Sequence, residues 1–177
     1  YISPDLGPGA SHDSYADTAI RELEFAADAL EKSGVEAKPL HSVFYGGGTP
    51  TLLASQDLNR ILKRAIELFG ITPQAEITTE ANPDSLSAEA VQVLAEGGFN
   101  RISMGMQSSV SHVLQVLERT HNPDNVHATA QWIREANLDL SLDLIFGTPG
   151  ESIADWHQSL DAVLAIRPDH VSAYGLI

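Results

Sequence analysis

Leu138-Asp139-Leu140-Ser141-Leu142-Asp143-Leu144-Ile145-Phe146 runs straight into Gly147-Thr148-Pro149-Gly150. In an extended chain alternate residues share a face. This stretch therefore shows Leu140, Leu142, Leu144 and Phe146 on one side, and Ser141, Asp143 and Ile145 on the other. The segment 101–107 divides the same way, Ile102, Met104 and Met106 against Ser103, Gly105 and Gln107. So do 171–174 (Val171 and Ala173 against Ser172 and Tyr174) and 77–80 (Ile77 and Thr79 against Thr78 and Glu80). A sheet between two helix layers would be apolar on both faces. One apolar face and one small or polar face predicts a single outer layer of helices around a polar, ligand-holding interior. That is a barrel or partial barrel with its site at the C-terminal strand ends; an open sheet with one solvent-facing surface is the alternative.

Outward from that strand, the chain alternates β and α. Residues 1–13 are rich in Gly, Pro, Ser and Asp and read as loop. A helix over 14–33 is predicted by Tyr15, Ala19, Leu23, Ala26, Ala27 and Leu30 at helical spacing, with Gly34 as its stop. A strand at 40–45 enters Gly46-Gly47-Gly48. The helix 55–69 has Ser55 as its expected N-cap and Gly70 as its end. A strand at 75–80 stops at Asn82-Pro83, a short helix covers 87–96, and a strand follows at 101–106. Helices are predicted near 109–118 and, from Asn122-Pro123, to about 136. After the strand ending at Phe146, a helix at 152–165 and a strand at 170–177 complete the series. No hairpin signal joins consecutive strands, so they are parallel with right-handed crossovers.

The composition bounds the function. With 177 residues, 43% hydrophobic and 19% charged, the chain is an ordinary single globular domain. Its formal charge is −14, from 24 acidic and 10 basic residues, with no basic stripe. Nucleic acid is therefore not an expected partner. No apolar run approaches a membrane span and no signal peptide is visible, so a cytoplasmic location is expected. There are no cysteines, hence no disulfide and no thiolate metal site in these residues. The seven histidines show no paired-ligand spacing. The start at Tyr1 and the stop at Ile177 within an apolar strand read as those of a fragment.

Four features gather at the C-terminal strand ends. Gly46–Gly48 lacks both the phosphate-loop ending and the dinucleotide fingerprint; it is either a tight βα turn or a wall where backbone approaches a ligand. Glu80 could accept two hydrogen bonds from a sugar diol, or stand as a solvated turn carboxylate. Asp143, among Leu142, Leu144 and Ile145, needs a partner if buried; Arg119 is a candidate for an ion pair, and a ligand contact is the other reading. Gln107 offers an amide that both donates and accepts, beside Ser108-Ser109 as polar caps of the next helix.

Five segments in order resemble the radical S-adenosylmethionine enzymes of the oxygen-independent coproporphyrinogen oxidase group. They are 44–51 (Phe-Tyr-Gly-Gly-Gly-Thr-Pro-Thr), 80–83 (Glu-Ala-Asn-Pro), 101–108 (Arg-Ile-Ser-Met-Gly-Met-Gln-Ser), 142–150 (Leu-Asp-Leu-Ile-Phe-Gly-Thr-Pro-Gly) and 171–174 (Val-Ser-Ala-Tyr). The second and fifth look more like the haem-chaperone branch than the dehydrogenase branch. The resemblance implies an α/β fold, a partial (β/α)6 TIM-like barrel truncated before its first strand and after its last. It also implies S-adenosyl-L-methionine at the strand ends. Gly47 would meet the methionine amino group, Glu80 the ribose hydroxyls, and the main chain near Gly175 the adenine. Gly48, Thr49, Gln107, Arg119 and Asp143 match positions that hold a second S-adenosylmethionine in the dehydrogenases.

The family's chemistry also requires a [4Fe-4S] cluster on a CxxxCxxC loop, placed by the resemblance upstream of Tyr1. A C-terminal domain would follow Ile177. Without that loop these residues are expected to be inactive. Haem or a porphyrinogen, and a haem-acceptor protein, are the partners implied. The dehydrogenase reading implies instead oxidative decarboxylation of porphyrinogen propionates.

Overall fold

The structure, a computed structural model, describes residues 12–119 and 122–176. The loop expected over residues 1–13 lies outside them as far as residue 11; its last two residues, His12 and Asp13, already belong to the first helix. Five parallel strands occur in the spatial order of the sequence: β1 (Leu40–Tyr45), β2 (Ile71–Ala81), β3 (Arg101–Gln107), β4 (Asp139–Phe146) and β5 (His170–Gly175). Between and around them run α1 (His12–Lys32), α2 (Ser55–Phe69), α3 (Ala88–Glu96), α4 (Ser111–Val116), α5 (Pro123–Glu135) and α6 (Ile153–Ile166). The sheet curls into a half-barrel, the partial-barrel alternative of the two that the strand faces allowed.

The outward face of the sheet builds the core. Ile102, Met104, Leu142 and Leu144 are all fully buried, packed with Val91 and Leu94 of α3 and Val126 and Ile133 of α5. Each such side chain contributes about 1.5–3 kcal/mol by leaving water. The inner face carries a registered polar row across four strands: Glu80 beside Ser103, Ser103 beside Ser141, Ser141 beside His170. The two edge strands differ from the simple alternation. Val171 of β5 is half exposed and Phe44 of β1 mostly exposed, because each strand has a neighbour on one side only. Phe146, at the end of β4, leaves the core face and packs its ring against Trp156, centroids 5.4 Å apart.

Local rules account for most boundaries. Asn122 caps α5, its side chain accepting from the Asp124 amide at 3.0 Å, with Pro123 in the first turn. Gly70 ends α2 with φ 71°. Ser55 is not the cap of α2: the Ala54 carbonyl already accepts from Leu58 N at 3.2 Å, so Ser55 is the first helical residue. Strand β2 begins at Ile71, four residues before its apolar alternation, because Ile71 pairs with Leu40 ahead of an irregular stretch containing Pro73. Helix α4 is shorter than its pattern: Val110 occupies its N-cap position without a side-chain cap, and Ser108 Oγ accepts from the Val110 amide just ahead of the helix while also meeting Ser159.

Candidate functional site at the C-terminal strand ends

The turn after β1 is tied down from beneath and from the side. The Tyr45 hydroxyl donates to the Leu58 carbonyl of α2 at 3.3 Å, and burial pushes its phenol well above the ordinary tyrosine value. Beyond the glycines, Thr51 in a 3-10 turn (Pro50–Leu52) meets Ser85 in a second one (Pro83–Ser85), Oγ to Oγ at 2.5 Å. Ser85 Oγ donates to the Asn82 carbonyl at 2.8 Å. Having one proton, it must therefore accept from Thr51. This bond fixes the glycine turn against the Glu80-Ala81-Asn82-Pro83 turn. Between the two, the Gly47 amide donates to Glu80 Oε2 at 3.1 Å.

Next along the rim, the end of β3 delivers Gln107 at φ 62°, and the loop after α4 delivers Arg119, whose amide returns to the Leu114 carbonyl at 2.8 Å. Asp143 rises from β4. Its partner is Ser103 on the neighbouring strand, whose hydroxyl lies 3.2 and 3.1 Å from the two carboxylate oxygens. Of the two readings for Asp143, the ion pair with Arg119 is absent among the described residues and the ligand contact stays open: Arg119 comes from an exposed loop, whereas Ser103 stands on the adjacent strand, near the carboxylate. At the last strand end, Glu151 clasps the 147–150 loop. Its Oε2 accepts from the Gly147 amide at 2.7 Å and from the Thr148 amide at 3.1 Å.

These residues enclose one cavity of about 310 Å³. Of the eight candidates, Gly47, Gly48, Thr49, Glu80, Gln107, Arg119 and Asp143 line it; Gly175 does not. Gly175 sits at the end of β5 beside Phe146, where an added Cβ would come 3.3 Å from that ring. Ser103, Gly105, Ile145 and Tyr174 also line the cavity. All four belong to the polar strand face, so the period-two pattern carried the signal for them, but nothing in composition singled them out. Two carboxylates and one guanidinium give the cavity a net negative character, suited to a ligand with a positive group and hydroxyls.

A family model, the radical SAM superfamily, matches residues 11–163. The chain belongs to the radical SAM superfamily. It is similar to the haem chaperone HemW of Mycobacterium tuberculosis, 41% identical over 178 residues, covering 100% of this chain and 44% of that protein. The corresponding chaperone of Bacillus subtilis is 37% identical over 93% of this chain and 43% of its own length. Among solved structures, the coproporphyrinogen III oxidase HemN of Escherichia coli superposes with a TM-score of 0.83 at 27% identity, over 94% of this chain and 37% of that one. The chain thus spans less than half the length of these relatives.

Membership implies S-adenosylmethionine and a [4Fe-4S] cluster. The residues present fit the first. Gly47 and Glu80 both line the cavity, and the Gly47 N–H is already engaged by Glu80 Oε2, so the acceptors these two residues have left are the Gly47 carbonyl and the second Glu80 oxygen. They do not fit the second: the sequence has no cysteine, and the described residues hold no cluster of three or more metal-ligating side chains. No helix among them is long and apolar enough to cross a membrane.

Proposed function

We propose that this chain is the S-adenosylmethionine-binding core of a haem chaperone located in the cytoplasm. The observation that carries the reading is the 41% identity with the mycobacterial haem chaperone along the whole of this chain. The cavity chemistry supports it. The Gly47 carbonyl accepts from the methionine ammonium, and the Glu80 oxygen not held by Gly47 accepts from the ribose hydroxyls. The main chain at the end of β5, near Gly175, lies against the adenine. Asp143, oriented by Ser103, and Gln107, Arg119, Gly48 and Thr49 line the remainder, where a second S-adenosylmethionine would be held. When bound, S-adenosylmethionine supplies a sulfonium that a reduced cluster, ligated outside these residues, can cleave. Haem titrated into the full-length gene product should give a shifted Soret band. No shift at micromolar haem would overturn the chaperone reading.

A second reading is an oxygen-independent coproporphyrinogen oxidase, favoured by the superposition on HemN. Anaerobic conversion of coproporphyrinogen III to protoporphyrinogen by the reconstituted full-length gene product would select it. No turnover, together with a Soret shift, would select the chaperone.

A further inference from the structure

Gln107 is the last residue of β3 and adopts φ 62°, a left-handed conformation that a long side chain rarely tolerates. The ladder shows one cause. Gly105 pairs with Asp143 but Gln107 pairs with Leu144, so β3 carries one extra residue against β4. Such a bulge bends the strand and re-aims a side chain. A second cause lies outside the barrel. The Ser108 amide donates to the Met106 carbonyl at 2.7 Å, closing a tight turn around Gln107. Ser108 Oγ then meets Ser159 Oγ of α6 at 3.0 Å, and the Ser109 amide donates to the same Ser159 oxygen at 3.1 Å. Ser108 Oγ also accepts from the Val110 amide at 3.1 Å. Ser108 is 1% exposed and Ser159 0%. Water cannot replace these bonds in so dry a place, and a broken one leaves a buried polar group without a partner.

The side chain held this way lies over Gly105. A Cβ added there would sit 2.7 Å from Gln107 Nε2, so only glycine leaves the amide its place. That amide lines the cavity and has no hydrogen-bond partner among the described residues. Backbone strain persists only where the surroundings over-determine it. Here they do so to present a donor and acceptor that no other described residue uses.

We propose that Ser159 is a positioning residue of this site. From the outer helix, through Ser108 and Ser109, it keeps Gln107 left-handed so that the amide faces the ligand across Gly105. Only the identity of that ligand rests on the S-adenosylmethionine reading above.

Two double-mutant cycles in the full-length gene product test it. In the first, read by thermal midpoint without ligand, Gln107→Gly relieves the strain and raises the transition by about 2 °C in the wild-type background. With Ser159→Ala present the backbone has already relaxed, and the gain falls to less than half. Equal gains in both backgrounds would overturn the proposal. Should Ser159→Ala not fold, Ser108→Ala removes the same link and the same criterion applies. In the second cycle, S-adenosylmethionine is titrated by calorimetry. Ser159→Ala weakens binding about fivefold but has no further effect once Gln107→Ala is present. A further loss in that background would mean that Ser159 acts through something other than Gln107, and would also overturn the proposal. A wild-type protein that binds no S-adenosylmethionine would overturn the functional reading instead, and the thermal cycle would still decide the role of Ser159.

Discussion

The Gly47 amide donates to Glu80 Oε2 at 3.1 Å, joining two turns that lie 33 residues apart in the chain. The contact has two consequences. It orients the carboxylate, and it uses the only donor Gly47 has, so a ligand at Gly47 can meet only its carbonyl. Replacing Glu80 by Ala should weaken S-adenosylmethionine binding about 10–100-fold, the loss of a charge-assisted bond and of the turn's anchor together. Glu80→Gln keeps the shape and should fall between. Calorimetric titration of the three proteins checks the order, and an unchanged affinity for the alanine variant would reduce Glu80 to a solvated turn residue.

Gly105→Ala separates binding from stability. The added Cβ would crowd Gln107 Nε2 at 2.7 Å and otherwise come no closer than 3.7 Å to the atoms around it, so the amide swings away while the backbone stays. Stability should change by less than about 0.5 kcal/mol, since a surface-like contact with a movable side chain is cheap. Ligand affinity should fall about fivefold, the worth of one hydrogen bond. A chemical denaturation curve beside a ligand titration reads both, and a variant that loses stability but keeps affinity would contradict the geometry.

The alternation in 101–107 and 138–146 was enough to place the apolar face outward and the polar face inward, because burial of one face fixes strand register. Seven of the eight candidate residues meet in one cavity for the same reason: parallel strands in sequential order put every C-terminal end on one rim. What the alternation did not reveal depends on lateral register. Ser103 as the partner of Asp143, in place of Arg119, follows only when Ser103 is seen beside Ser141 and Gly105 beside Asp143 on the adjacent strand. The bulge at Gln107 and the Ser108–Ser159 link were equally hidden, since no local pattern marks a contact between the turn after β3 and a helix fifty residues later. Gly175 falls outside the cavity lining because it follows Tyr174 on the opposite face of β5, in register with Phe146.

The centre of the sheet should be unforgiving. Leu142 has no exposed surface and stands in β4, with a strand on either side. Leu142→Ala should cost about 2–5 kcal/mol, combining lost transfer energy with a residual cavity. That is a large part of the stability of an ordinary domain. Urea unfolding monitored by far-UV circular dichroism would measure it. A loss under about 1 kcal/mol would mean that the helices collapse into the space more freely than their packing implies.

Acid should loosen the fold at two carboxylates. Burial pushes the Glu76 carboxyl up, but hydrogen bonds from Arg101 and Thr78, with the charge of Arg101, outweigh it and hold the value below the ordinary one. Asp155 is held low chiefly by the Ser152 hydroxyl and amide at the start of α6, with His112 contributing through space. A carboxyl whose value is lower in the folded than in the unfolded chain binds fewer protons when folded. It therefore adds stability above its unfolded value and loses that share as the pH falls through the folded one. The thermal midpoint should thus hold level through neutral pH and decline below about pH 4, where ordinary carboxyls begin to protonate. Glu76→Gln and Asp155→Asn should each lower the midpoint at neutral pH and make the acid decline shallower. A decline as steep in both variants as in the wild type would place the acid sensitivity elsewhere.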